Sequence, residues 1–170
     1  MSDNDPDFVI SRCFAAPRDM VWRAWTDAEQ LKRWFGPKGC SIFSSTIDLR
    51  VGGTYLYGIR MPDGGDLWGR WVFREITPPD RLVFVVSFSN EQGGVTRHPW
   101  HSNWPLKILS TITFEERGSQ TLVTVRWTPT EAAADEIRTF EEGRESMREG
   151  WTGTLDKLTG HFSEAGSETV

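Results

Sequence analysis

From Cys40 to Thr128 the sequence alternates with a period of two, shows no helical period, and breaks only at turn-forming residues. Cys40–Leu49 leads through Val51, Gly52 and Gly53 into Thr54–Met61, where Tyr55, Tyr57 and Ile59 share a face. Pro62–Gly65 turns the chain into Asp66–Ile76, which is apolar on both sides: Leu67, Trp71 and Phe73 on one, Trp68, Val72 and Ile76 on the other. Its inner face is left open by the sequence. A Pro-Pro turn over Thr77–Asp80 precedes Arg81–Ser89, where Leu82, Phe84, Val86 and Phe88 are expected inward and Val83, Val85 and Ser87 outward. Leu106–Glu116 and Thr121–Thr128 then form a hairpin about Gly118 and Ser119, with Ile112 and Phe114 opposite Val123, Val125 and Trp127. Short connections join antiparallel neighbours, so this part of the chain is expected to be one antiparallel sheet.

Such a sheet needs a cover, and the residues after it supply one. Met147, Trp151, Leu155, Leu158 and Phe162 recur at steps of four and three, an apolar stripe on a helix expected from Thr139 to Phe162. Thr139 followed by Glu142 has the capping-box spacing expected at its start. Gly143, Gly150, Gly153 and Gly160 interrupt it, each costing roughly 1 kcal/mol against Ala in a helix interior. Bare backbone of that kind permits a neighbour or a bound molecule to approach closely.

Ahead of the sheet, Phe8–Phe14 reads as a strand with Phe8, Ile10 and Arg12 on one face and Val9 and Cys13 on the other. Pro17 suits the first turn of a helix whose apolar side is Met20, Val21, Ala24 and Trp25. Thr26 or Asp27 caps a second short helix with Leu31, Trp34 and Phe35 inward, stopped by Gly36 and Pro37. The order is β-α-α-β6-α, an α+β arrangement of about seven strands. One domain over residues 8–163 is expected, with polar tails at 1–7 and 164–170.

Asn90–Pro105 is a connection of about sixteen residues, long for a compact domain. His98, Trp100, His101 and Trp104 within it suit either a lid or a surface loop pinned by its own rings.

Charge limits the partners. The net charge is -5 and the Lys and Arg are scattered, which argues against a nucleic-acid surface. Cys13 and Cys40 have no metal or redox spacing, the start is polar and no run is long and apolar enough for a membrane, so a cytoplasmic protein is expected. The nine tryptophans and ten phenylalanines in a chain of mean hydropathy -0.44 concentrate apolar surface in large rings, which suit a hollow interior or an ordinary core.

The sequence carries a set of motifs in order: Ala16-Pro17, Val21-Trp22, Ala24-Trp25, Thr26-Asp27, Leu31, Trp34-Phe35 and Gly36-Pro37. Gly52-Gly53 with Tyr55, Glu75-Ile76 with Pro78-Pro79 and Arg81-Leu82, Thr113-Phe114, and Gly150-Trp151 with Leu155 and Leu158 follow. Together these resemble the family named after the activator of Hsp90 ATPase, over roughly residues 8 to 163. Gly93–Pro99 with Trp104-Pro105-Leu106 further resembles a subset of its bacterial single-domain members. The resemblance implies the helix-grip fold of the START-like and Bet v 1-like (SRPBCC) proteins, in which a curved antiparallel sheet wraps a long C-terminal helix and leaves a cavity. The eukaryotic activator has a separate N-terminal domain that engages the chaperone. With only a short polar stretch before Phe8, a chaperone partner is not expected here.

In that fold the wall candidates are Trp34, Tyr55, Tyr57, Trp71, Phe73, Phe84, Phe88, Phe114, Met147, Trp151 and Leu155, with His98, Trp100 and Trp104 as loop or lid candidates. Each wall candidate reads equally as ordinary core. His98, His101 and His161 have no Cys or carboxylate at a ligating spacing, so no metal is expected. No nucleophile elbow, HExxH, Walker loop or dinucleotide glycine pattern occurs, so no catalytic residue and no cofactor is assigned. Arg126 is expected on the outer face. The leading expectation is a protein, monomer or homodimer, that binds a small apolar or aromatic molecule. A protein-binding, co-chaperone-like module using the Trp100 and Trp104 loop is the alternative, and a cyclase- or hydrolase-like enzyme the third.

Overall fold

The computed structural model describes residues 7–168, and side chains as far as residue 163. The polar stretch before Asp7 and positions 169–170 lie outside the described residues. Numbered along the chain, the strands are β1 (Phe8–Phe14), β2 (Ser41–Ile47), β3 (Thr54–Arg60), β4 (Asp66–Thr77), β5 (Arg81–Ser89), β6 (Val95–Thr96), β7 (Ile108–Arg117) and β8 (Gln120–Pro129). The helices are α1 (Arg18–Thr26), α2 (Ala28–Trp34), α3 (Ala134–Glu142) and α4 (Arg144–Glu168). The fold is α+β of the helix-grip type, an antiparallel sheet ordered β1-β8-β7-β5-β4-β3-β2 with α4 against it, and β6 pairs with β5 off that path.

Strand parity works out as alternation dictates. Tyr55, Tyr57, Trp71, Phe73, Phe84, Ile112, Phe114, Val123 and Val125 all join one core with Met147, Trp151, Leu155, Leu158 and Phe162 of α4. Ile112 pairs with Val125 and Phe114 with Val123 across the hairpin. Burying each such side chain is worth about 1.5–3 kcal/mol, so this face dominates the stability of the sheet. On the opposite face of β8, Arg126 pairs with Asp7 at 2.6 Å and stays exposed.

Strand β4 has one irregularity that resolves its two apolar sides. The register shifts between Phe73 and Glu75, so Ile76 lies opposite the inward Leu82 and packs on the core rather than on the Trp68 and Val72 side. A second shift between Ile42 and Ser44 bends β2 in the same way. Between them, Gly69 sits opposite Tyr57, where a Cβ would fall 2.4 Å from the phenolic oxygen. Only glycine lets that ring lie flat across β4.

Three expectations for the helices are corrected. Met20 is exposed and Trp22 is buried in its place, edge-to-face with Phe114 at 5.4 Å, because the inward arc of α1 is centred on the Val21–Trp25 and Trp22–Thr26 ridges. The final helix does not begin at Thr139. That hydroxyl is inside α3, donating to the Asp135 carbonyl at 3.0 Å, while the side chain that caps α3 is Glu136, which accepts from the Ala133 N–H at 2.9 Å. Gly143 separates α3 from α4, its N–H reaching the Thr139 and Phe140 carbonyls at 3.1 Å. Residues 164–168, expected as the start of a tail, continue α4.

The connection from 90 to 105 is partly regular. Asn90 Oδ1 accepts from the N–H groups of Gln92 and Gly94, closing a tight turn that returns as β6 along the end of β5. Arg70 Nη1 donates to the Gly93 carbonyl at 2.7 Å and holds that turn to the sheet.

Candidate ligand chamber

Between the inner face of the sheet and α4 lies a chamber of about 640 Å3. Its deep wall is built from strand side chains of one parity, Tyr57, Trp71, Phe84 and Val86, closed by Ile108 and Trp127 and floored by Met147 and Trp151 of α4. Trp71 and Phe84 stack face to face with ring centroids 3.9 Å apart, so the two rings fix one another in the wall. Trp151 stacks on Trp25 with centroids 6.1 Å apart and meets Trp127 edge-on at 5.6 Å. Its remaining side faces the void.

Glycine makes this floor possible. At Gly150 a Cβ would meet nothing within 4 Å, so the space over that turn of α4 belongs to the chamber. At Gly153 a Cβ would come within 3.1 Å of the Lys38 Cβ, so the segment after α2 lies directly on the helix. Lys157 clamps the same segment, its ammonium donating to the carbonyls of Phe35, Gly36 and Cys40 at 3.3, 3.3 and 3.1 Å. Burial lowers the Lys157 pKa from its ordinary value. Arg12 Nη1 and Lys38 Nζ both reach Asp156, at 2.8 and 3.4 Å, tying α4 to β1 and to the same segment.

The mouth is bounded by Phe35–Pro37, the 98–105 segment and the α3–α4 junction. His98 Nδ1 accepts from the backbone N–H groups of Trp100 and His101 at 3.0 and 3.2 Å, so this nitrogen is the unprotonated one. Burial and then the neighbouring His101 lower the His98 pKa. Its ring lies 4.7 Å from that of Phe88. Trp104 packs on Phe140 with centroids 5.5 Å apart, and Arg97 pairs with Glu136, so the segment is fastened to α3. The Ala133 N–H and then Arg97 hold Glu136 below the usual carboxylate range. Trp100 is 65% exposed at the rim.

Of the wall candidates, Tyr57, Trp71, Phe84, Phe88, Met147 and Trp151 border the chamber, as do His98, Trp100 and Trp104. Trp34, Tyr55, Phe73, Phe114 and Leu155 are instead sealed in the core behind it. Trp34 Nε1 donates to the Ala24 carbonyl at 2.9 Å beneath Trp25. Tyr55 meets Ser45 Oγ at 3.0 Å, and because that hydroxyl gives its proton to the Ala28 carbonyl at 2.8 Å, Tyr55 is the donor. Burial raises the pKa of both Tyr55 and Tyr57, so neither phenol ionises near neutrality.

Sequence reasoning passed over Phe35, Ile108, Trp127 and Glu142 as lining residues. Trp127 shares the parity of Val123 and Val125, and that signal was available. Glu142 follows from the break at Gly143, which local pattern does not announce. Among the described residues no three His, Cys, Asp or Glu side chains converge as a metal ion would require, and no helix is long and apolar enough to cross a membrane.

The family model for Activator of Hsp90 ATPase homolog 1-like protein matches residues 15–163. A solution structure of a protein from Arthrobacter aurescens is similar at 29% identity and a TM-score of 0.76, over 95% of this chain and 90% of that one. A crystal structure of a protein from Nitrosomonas europaea is similar at 25% identity and a TM-score of 0.76, over 97% and 99%. The AHSA1 protein from Silicibacter pomeroyi shares the fold at 17% identity and a TM-score of 0.71, over 94% and 99%. No curated protein matches the sequence significantly.

Proposed function

This chain belongs to the Activator of Hsp90 ATPase homolog 1-like family, and from that premise we propose that it binds a small apolar or aromatic molecule between its sheet and its C-terminal helix. One observation carries the reading: a chamber of about 640 Å3 bounded by Trp71, Phe84, Trp127 and Trp151. Small-molecule sites are concave, mostly apolar and of a few hundred Å3. A guest of matching shape entering the chamber gains about 25 cal/mol for each Å2 of its own apolar surface removed from water.

Two measurements on the whole chain test this. Native mass spectrometry of the purified protein looks for a co-purifying molecule, and titration with the neutral fluorophore N-phenyl-1-naphthylamine looks for binding directly. Gly150→Leu projects a side chain into open space and replaces a residue unfavourable in helices by about 1 kcal/mol. It is expected to keep the fold and lose the fluorophore. Absence of binding to the parent protein, or undiminished binding in Gly150→Leu, would overturn the proposal.

A further inference from the structure

We infer that the chamber selects a positively charged guest, an aromatic or alicyclic amine whose rings lie among the indoles and whose ammonium sits at the mouth beside Glu142. This rests on reading the chamber as a binding site and adds the charge of what it takes. Among the described residues lining the chamber, Glu142 is the one Asp, Glu, Lys or Arg. It is exposed, at the end of α3, and shares that rim with Thr139, Gly143 and Ser146.

Four cations near the mouth are engaged elsewhere. Arg97 pairs with Glu136, Lys38 with Asp156, and Lys157 is turned to three backbone carbonyls. Arg144 donates to the Asp7 carbonyl. A carboxylate guest entering the chamber would therefore leave its hydration shell without a cationic side chain to replace it. An ammonium would meet ring faces, whose quadrupole attracts cations, and a carboxylate at the rim.

Helix ends do not reverse this sign. The start of α4 carries roughly half a positive charge and the end of α3 roughly half a negative one at the same junction, so the two offset. Around the junction the carboxylates of Glu141, Glu142 and Glu145 outnumber the guanidiniums of Arg138 and Arg144, which leaves it negative. The His98 imidazole at the mouth, its pKa lowered by burial and then by His101, adds no charge in mildly alkaline buffer.

The test displaces N-phenyl-1-naphthylamine with three compounds of one ring system, 1-naphthylmethylamine, 1-naphthylmethanol and 1-naphthylacetate, at about pH 8 where imidazole is neutral. The amine is expected to displace the fluorophore at a concentration on the order of tenfold lower than the acid. Glu142→Gln is expected to narrow that ratio and Glu142→Lys to invert it. If the fluorophore and all three compounds fail to bind, the chamber reading falls and this inference with it. If the alcohol binds and the acid matches or exceeds the amine, the inference alone is overturned. A ratio unchanged in both Glu142 variants would overturn the assignment to that carboxylate.

Discussion

Trp104 lies so close over Gly143 that a Cβ on that residue would come within 3.2 Å of the indole ring. The same ring rests on Phe140, so the mouth segment and the junction between the last two helices share one contact. Gly143 has φ -87° and ψ 7°, a conformation open to any residue, so Gly143→Ala strains no backbone and acts through Trp104 alone. Its stability is expected to stay within about 1 kcal/mol of the parent, since the entropy gain and the crowding oppose each other. The Trp104 indole N–H resonance, assigned by its loss in Trp104→Phe, is expected to shift while those of Trp25 and Trp34 hold. An unmoved Trp104 signal would show that the contact is slack.

Trp34 and Trp151 are both buried, yet they should not cost the same to truncate. Trp34 is enclosed on all sides and hydrogen-bonded to Ala24, whereas Trp151 borders the chamber. Trp34→Ala is expected to cost about 3–5 kcal/mol and Trp151→Ala about 2–3 kcal/mol in urea unfolding. Equal or reversed costs would mean that the void beside Trp151 is closed in solution.

Gly69 and Tyr57 give a sharper case. Gly69→Ala places a methyl 2.4 Å from the Tyr57 oxygen and 2.5 Å from its Cζ, and is expected to cost about 2 kcal/mol or more. Tyr57→Leu removes the obstructing atoms. The double variant is expected to be more stable than the sum of the two single losses predicts, by about 1 kcal/mol or more. Simple additivity would sink the account.

His98 supplies a pH dependence. Its pKa is lowered from the ordinary 6.5, so between the two values the unfolded chain binds more proton than the folded one. The contribution is therefore complete above 6.5 and lost as pH falls through the lowered value. Protonation also takes from Nδ1 the lone pair that holds the Trp100 and His101 amides. Exchange protection of those two amides is expected to fall as pH drops from about 7.5 to about 5. Amides of β7 should keep theirs. Uniform loss in both places would assign the effect to global unfolding instead.

Period and parity made the strands legible, and with them the rings that face inward. Depth was not legible. Tyr55 and Tyr57 have the same parity, yet only the second reaches the chamber, because Tyr55 is closed off by Phe35 and by Ser45, which is bonded to the start of α2. The break at Gly143 was hidden for a related reason. Residues on both sides of it suit a helix, and Trp104, far away in the chain, fills the gap. The apparent capping box at Thr139 matched a spacing whose hydroxyl is satisfied one turn back. Ile76 was assigned to the wrong side because a bulge shifts parity by one residue, and bulges leave no regular mark in sequence.

The three carbonyls gathered by Lys157 have a mechanical consequence. Phe35 and Gly36, one jamb of the mouth, are bolted to the helix that floors the chamber, with Gly153 seated against Lys38 just behind. The opposite jamb is held to α3 by the ion pair of Arg97 with Glu136 and by the tilted contact of Trp104 with Phe140. The two edges of the mouth therefore answer to different elements: the side carrying Phe35 moves with α4, the side carrying Trp104 with α3, and the Gly143 junction is where the two meet.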